Sequence, residues 1–119
     1  RGYHASLTEL HTFLTTPVKR YTMYLKVHHV PDAGEVVAAC DSELLNVTLM
    51  HGDVEVCITG GFYGTERVAE EEVRRALLGA TNANIIGKRV VALAVALGLV
   101  RREDCIMIGD VPHAQIFGM

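Results

Sequence analysis

The pattern of apolar and polar positions changes its period twice along the chain. Between residues 21 and 59, most segments show β-branched, aromatic and other apolar residues alternating with polar ones, as in half-buried strands. In residues 21–30, for example, Leu25 and Val27 share one face, and Lys26 and His28 share the other. The pattern predicts strands over residues 21–30, 35–40 and 54–59, turns at 31–34 and 51–53, and one helical turn at 41–45.

A helical period follows residue 64. The pair Glu70–Arg74 has the favourable i,i+4 order, and Gly79 follows as a stop signal, so a helix is predicted over residues 70–78. A second helix is predicted to start near Thr81 or Asn82 and to end at Gly98. Its stretch over 90–97 is apolar on every side, which predicts a covered, central helix. The last predicted strands cover 105–108 and 113–117, joined by a bend at 109–112.

These elements predict a single α+β or mixed α/β domain. Its mixed sheet would have two consecutive helices inserted between the early and the late strands. The domain is predicted to cover residues 23–119, preceded by an N-terminal extension over residues 1–22. In the extension, capping-box spacing and apolar residues at helical intervals predict a short amphipathic helix over residues 7–15. Because the chain begins at Arg1 and not at a methionine, it is expected to be a fragment or a processed form.

Composition removes several classes of protein. Half of the 119 residues are hydrophobic, which excludes disorder. The net charge of −3 argues against naked nucleic acid as the main ligand. The longest apolar run, residues 90–100, is too short to span a membrane, and no secretory signal precedes it, so a cytoplasmic location is expected. A mean hydropathy of +0.24 in so small a chain predicts a homodimer.

Neither the histidines nor the cysteines have the spacing of a metal site. The sequence has no Cys-x-x-Cys and no His-Glu-x-x-His motif, and His28 and His29 point to opposite faces of one predicted strand. We therefore predict no metal and no cofactor. The three cysteines are interpreted as buried thiols of a reducing compartment, and slow labelling of all three is expected. They are Cys40, Cys57 and Cys105.

Two glycine- or asparagine-rich segments have the context of an anion site. The loop at residues 60–64 lies between a predicted strand and a helix, but acidic residues surround the following helix start, which favours a tight structural connection. The segment 81–84 precedes Lys88 and Arg89, so its amides and carboxamides could receive an anion. The alternative, that Thr81 and Asn82 are helix caps, is the favoured interpretation.

The strongest chemical cluster covers residues 110–115. Pro112 fixes the backbone next to His113, and Gln115 projects from the same face of an extended segment. An imidazole beside a carboxamide could transfer a proton, with Asp110 orienting the ring. A partly buried histidine and glutamine that satisfy neighbouring helix ends are the structural alternative. The candidate functional face comprises His113, Gln115, Asp110, Tyr63 and Asn84.

From Met23 onward the chain resembles an archaeal family of small uncharacterised proteins, a domain-of-unknown-function family. The resemblance implies a cytoplasmic archaeal protein of single-domain size and carries over no catalytic residue. His29 and Ala69 depart from the family pattern. The matching segments are 23–28 (Met-Tyr-Leu-Lys-Val-His), 40–45 (Cys-Asp-Ser-Glu-Leu-Leu), 62–64 (Phe-Tyr-Gly), 83–87 (Ala-Asn-Ile-Ile-Gly) and 111–115 (Val-Pro-His-Ala-Gln).

Two classes of function follow from these observations. The first is a binding or adaptor module in central information processing, with a protein partner in translation or ribosome biogenesis. The second is a small-molecule-binding protein or enzyme that uses His113 as an acid or base. A closed concave pocket would favour the second class, and a flat or apolar surface would favour the first.

Overall fold

The computed structural model describes residues 20–32 and 34–118. Strands in this part of the chain form a six-stranded mixed sheet. The strands are β1 Met23–Val30, β2 Gly34–Asp41, β3 Thr48–His51, β4 Val54–Cys57, β5 Arg67–Val68, β6 Asn82–Ile86, β7 Ile106–Ile108 and β8 Val111–Phe117. The helices are α1 Gly60–Tyr63, α2 Glu70–Leu78 and α3 Lys88–Ala96, and 3-10 turns lie at Ser42–Leu44 and Arg102–Asp104.

The large sheet has the order β5-β1-β2-β6-β8-β7. β2 and β6 are parallel, because the chain leaves β2 and crosses over before it returns as β6. The other neighbours in the sheet are antiparallel. β3 and β4 form a separate hairpin. The register of β6 and β8 sets Asn84 opposite Gln115 and Ile86 opposite His113, so these four side chains share one face.

Helices α2 and α3 cover the opposite face of the sheet, where the main core lies. α2 presents Val73 and Leu77 to the sheet. α3 presents Val90, Val91, Leu93 and Ala94, and all four are buried. Burial of apolar side chains contributes roughly 1.5–3 kcal/mol for each large one, so this layer supplies much of the stability.

Helix α3 begins at a close contact between Asp41 and Gly87. The Asp41 carboxylate accepts hydrogen bonds from the backbone N–H groups of Arg89 and Val90, both at 2.9 Å, and so caps the helix from the end of β2. Gly87 has φ +126°, a conformation that favours glycine, and it lies directly against the Asp41 side chain. Burial raises the pKa of the Asp41 carboxyl, and its two backbone donors and Arg89 partly offset that shift.

The predicted fold class is confirmed, since the chain forms an α+β domain with a mixed sheet. The two helices are not consecutive, because β6 lies between α2 and α3. α2 has the predicted bounds. The predicted start of the second helix is wrong, because residues 82–86 form β6 and the helix begins at Lys88. Long-range pairing with β2 and β8 outweighs the capping preference of Thr81 and Asn82. Strand β3 was not predicted, and the helix predicted over residues 7–15 lies outside the described residues.

The prediction that all three cysteines are buried is wrong for Cys57. Cys40 is buried in the sheet, and Cys105 is half-buried. Cys57 is exposed because it lies on the open face of the β3–β4 hairpin, where its thiol contacts the Thr48 hydroxyl at 3.5 Å. Alternation along β4 turns Val56 towards the core and Cys57 away from it.

The cysteines are therefore expected to label at different rates. Burial, reinforced by the neighbouring Asp41 carboxylate, raises the pKa of the Cys40 thiol to about 12, so this thiol should react only after unfolding. Cys57 should react with a maleimide or a disulfide reagent in the native protein. Mass spectrometry of a labelling time course measures both rates. Equal rates at the two sites in the native protein would contradict this account.

Candidate functional site

Three of the predicted site residues meet on the face of the sheet that α1 partly covers. The Tyr63 hydroxyl of α1 donates a hydrogen bond to Oδ1 of Asn84 at 2.8 Å. Nε2 of His113 lies 3.1 Å from the same oxygen. Tyr63 lies 21 positions before Asn84, and His113 lies 29 positions after it. They meet because β8 pairs with β6, and α1 packs against the neighbouring β2.

The shared oxygen fixes the tautomer of His113. An amide oxygen can only accept hydrogen bonds, so Nε2 of His113 carries the proton and donates it to Asn84. In the neutral ring, Nδ1 then has a lone pair, and Nδ2 of Asn84 has two N–H donors. Neither atom has a protein partner within the described residues. In the described residues, every side-chain N or O atom that lacks a hydrogen-bond partner is accessible to solvent. Solvent therefore reaches both atoms.

Burial shifts the pKa values of His113 and Tyr63, the two residues bonded to Asn84, in opposite directions. Desolvation lowers the pKa of His113 below its usual value, because the imidazolium would lose hydration. Desolvation raises the pKa of the Tyr63 hydroxyl, and the nearby Cys40 raises it further. At neutral pH the network therefore consists of an uncharged imidazole, an amide and a phenol.

His113 should make the stability of the protein depend on pH. Its pKa is lower in the folded than in the unfolded state, so the stability that it contributes is present above about pH 6.5 and is lost as the pH falls through the folded-state pKa. Urea unfolding between pH 7.5 and 5 should show a larger loss of unfolding free energy in the wild type than in a His113→Gln variant. Parallel pH profiles for the two proteins would contradict the lowered pKa.

An open groove continues from His113 towards the end of β8. Its volume is about 360 Å³, and we call it the β8 groove. Phe117 and Ile106 are exposed by 74% and 55% and form its apolar rim. The carboxylate of Asp104 accepts a hydrogen bond from Nε of Arg101 at 3.2 Å. The lining residues are Asp104, Ile106, His113, Ala114, Gln115 and Phe117.

The structure brings four of the five predicted site residues together and separates the fifth. His113, Asn84 and Tyr63 form the network, and Gln115 lies opposite Asn84 with an exposed side chain. Asp110 was expected to orient the His113 ring. It is exposed in the turn between β7 and β8, and Asn84 holds the ring instead. Asp110 follows Gly109, whose φ of +61° closes that turn.

Sequence reasoning did not identify Phe117, Ile106 and Asp104 as parts of this site. Phe117 and Ile106 were assigned only to strands. Both residues have large apolar side chains near the ends of predicted strands. Apolar residues at such exposed positions could have indicated a binding surface. Asn84 was selected in a segment thought to cap a helix, and the structure places it in the middle of β6.

The glycine loop at residues 60–64 connects β4 to β5. It contains the single turn of α1, in which Phe62 stacks on His28 with ring centres 4.9 Å apart. The carbonyl of Phe62 lies 2.7 Å from Nε2 of His28, and the amine of Lys26 donates to the Gly61 carbonyl at 3.0 Å. Within residues 20–32 and 34–118, no group of three His, Cys, Asp or Glu side chains is arranged to hold a metal ion.

The fold defines a small α+β protein built on a six-stranded mixed sheet with an additional two-stranded hairpin. The chain belongs to the family described as "Protein of unknown function (DUF424)", whose model matches residues 28–119. This confirms the resemblance to a domain-of-unknown-function family. No curated protein matches the chain.

A solved structure is similar to this chain over most of its length. It is the crystal structure of an uncharacterized conserved protein from the archaeon Methanopyrus kandleri. The identity is 27% and the TM-score is 0.66, and the match covers 82% of this chain and 93% of that one. The neighbour therefore supports the fold and agrees with the archaeal origin of the resemblance.

In the part of the chain that the structure describes, no helix has the length and apolar character needed to cross a bilayer.

Proposed function

We propose that this protein is a binding module that recognises a segment of a partner polypeptide in the β8 groove. The observation that carries the proposal is a pair of unpartnered, solvent-reached atoms: Nδ1 of His113, which lines the groove, and Nδ2 of Asn84, whose side-chain oxygen is bonded to His113. One is a donor and the other an acceptor, and a half-buried network holds both in place. Such preorganised groups bind without first being ordered.

The chemistry of the groove favours a polypeptide over an anionic ligand. Asn84 and Gln115 carry carboxamides, whose donors and acceptors match those of peptide groups and of amide side chains. The described residues that line the groove include no lysine or arginine to hold a phosphate group, and the Asp104 carboxylate there is paired with Arg101. Phe117 and Ile106 offer apolar contact area beside these polar groups, as in protein interfaces with an aromatic anchor.

The groups around His113 favour recognition over covalent catalysis. The Tyr63 hydroxyl donates its proton to Asn84, and burial raises its pKa, so it is a poor nucleophile. The Cys40 thiol is buried with a raised pKa and is equally unsuited. The groove is open to solvent along its length, whereas acid–base catalysis generally uses a site that excludes water.

A second candidate function is a small-molecule ligand site or enzyme in which His113 is an acid or base. The free lone pair on Nδ1 and the lowered pKa of His113 favour it, since a neutral imidazole accepts a proton. Such an activity would follow the ionisation of His113 and would disappear in the His113→Gln variant. Turnover that survives this substitution would exclude His113 as the acid or base.

Four sequence-based expectations stay predictions beside this proposal. They are a partner in translation or ribosome biogenesis, a cytoplasmic location, a homodimer, and a separate N-terminal extension over residues 1–22.

A library of random linear peptides displayed on phage tests the proposed function. The full chain is immobilised, the enriched peptides are synthesised, and their affinity is measured by fluorescence polarisation. Gln115→Ala should weaken binding about fivefold, because one hydrogen bond to the ligand contributes about 1 kcal/mol. His29→Ala is the control, since His29 is exposed on β1 and pairs only with Glu35 at 3.4 Å. Failure to enrich peptides, or equal loss in both variants, would contradict the proposal.

A further inference from the structure

We propose that the partner polypeptide adds to the sheet as a strand, paired with the backbone of Gln115 and Phe117 at the free edge of β8. This inference rests on the peptide-binding function proposed above and specifies how the peptide binds. Strand addition depends on hydrogen bonds between main-chain groups. The side-chain contacts of the proposed function do not by themselves require the peptide to be extended.

A hydrogen bond at the start of β8 establishes which of its backbone groups face β6. The N–H of Gly87, just beyond β6, donates to the carbonyl of Pro112 at 2.9 Å. Along an antiparallel strand the N–H and C=O of one residue point to the same side, and successive residues alternate. Ala114 and Ile116 therefore bind β6 with Pro112, whereas His113, Gln115 and Phe117 direct their backbone groups to the other side.

β7 covers only the first part of that other side. It pairs from Ile108, opposite Val111, as far as Ile106, opposite His113. The chain before Ile106 is already in the 3-10 turn Arg102–Asp104. Within the described residues, no backbone hydrogen bond reaches the N–H or C=O of Gln115 or Phe117. The end of β8 is thus an uncovered sheet edge, and the β8 groove lies beside it.

An extended polypeptide is the occupant that this edge fits. Gln115 and Phe117 present two sets of donor and acceptor about 7 Å apart, the repeat of every second residue in a strand. A peptide in strand conformation offers the complementary groups at the same repeat, whereas a nucleic acid backbone offers only acceptors and negative charge. Since Asp104 on the groove wall is paired with Arg101 and no lysine or arginine of the described chain lines the groove, the wall favours an uncharged segment.

Strand addition also explains the placement of the side chains. Residues of an added strand would alternate between the two faces of the sheet, so every second side chain would lie on the face that carries Gln115 and Phe117. One such side chain would contact the exposed Phe117 ring and Ile106. The main chain would supply affinity, and these contacts would supply sequence preference.

Amide hydrogen exchange on the full, ¹⁵N-labelled chain tests the inference, with an enriched linear peptide as the probe. In the free protein, Gln115 and Phe117 should exchange at least about tenfold faster than Ala114 and Ile116, because only the latter are bonded to β6. A saturating peptide should slow exchange at Gln115 and Phe117 by about tenfold or more.

Two substitutions at one position provide an independent measurement. Gln115→Pro removes the edge N–H without removing a β6–β8 hydrogen bond, whereas Gln115→Ala removes only the side chain. The proline variant should bind the peptide at least about tenfold more weakly than the alanine variant. Strand addition would be overturned if the peptide binds through the Gln115 side chain, the amides of Gln115 and Phe117 still exchange rapidly, and the proline and alanine variants bind equally. The proposed function would be supported by that result.

The remaining outcomes identify other occupants and would each overturn the inference. Absence of peptide binding would remove the proposed function and this inference together. Slow exchange at Gln115 and Phe117 in the free protein would show that the chain covers its own edge. Protection that grows with protein concentration would indicate a second copy. A single-stranded RNA oligonucleotide that shifts the Asn84 and Phe117 signals, where no peptide does, would indicate a nucleic acid.

Discussion

Replacing Gly87 with alanine is expected to lower the free energy of unfolding by about 3 kcal/mol or more. The backbone there has φ 126° and ψ 150°, a region that is accessible essentially to glycine alone, and its strain for another residue is on the order of 1–3 kcal/mol. A Cβ atom would also lie 2.8 Å from Cβ of Asp41 and closer still to its carboxylate. The carboxylate would have to leave the α3 N–H groups, and losing such a cap costs about 0.5–2 kcal/mol.

Gly98→Ala provides the matched control for this substitution. Gly98 has φ +76°, and in the described part of the chain no atom beyond its chain neighbours lies within 4 Å of the position of its Cβ. The control therefore measures backbone strain without a steric contact and should lose about 1–2 kcal/mol. Urea unfolding of both variants measures the difference. Equal losses in the two variants would show that the Asp41 contact contributes nothing to stability.

Replacing Asn84 with alanine should destabilise the fold and abolish ligand recognition together. The substitution removes the acceptor of both the Tyr63 hydroxyl and the His113 ring, and each half-buried donor left without a partner costs about 1–3 kcal/mol. It also removes Nδ2, the unpartnered donor beside His113. Thermal melting and peptide binding by the folded variant measure the two effects separately.

Tyr63→Phe is the matched control for the Asn84 variant. It removes one hydrogen bond to Asn84 and leaves both the amide and its contact with His113 in place. We expect a loss of about 1 kcal/mol in stability and a much smaller change in peptide affinity. A Tyr63→Phe protein that loses binding as completely as the Asn84 variant would place the recognition surface on α1 instead of β6.

The sequence predicted those elements whose signals are local. α2 has i,i+4 ion pairs, an apolar stripe and a glycine after its last residue, so its bounds follow from residues 70–79 alone. β6 could not be predicted in this way, because Asn82 and Asn84 are poor strand formers and become a strand only between β2 and β8. Gly87 separates β6 from α3 through a backbone conformation that depends on Asp41, 46 positions earlier.

The candidate site was predictable to a similar extent. The sequence placed Pro112 beside His113 and so indicated that the histidine has a defined direction. Alternation along the strand placed Gln115 on the same face as His113, which agrees with the register of β8. The partner of the ring was assigned to Asp110 because it is near in sequence, whereas Asn84 reaches the ring across the sheet. The free edge of β8 depends on the length of β7, which no local pattern in residues 105–108 reveals.

The central claim is that the inner end of the β8 groove binds a polypeptide. The most direct test is a titration of the ¹⁵N-labelled chain with a selected linear peptide, followed through the side-chain signals of Asn84 and His113. The account predicts that Nδ2 of Asn84 and Nδ1 of His113 shift in parallel with peptide binding while Nε2 of His113 keeps its proton. Saturable binding that leaves both signals unmoved and shifts the surface around Lys88 and Arg89 would contradict it.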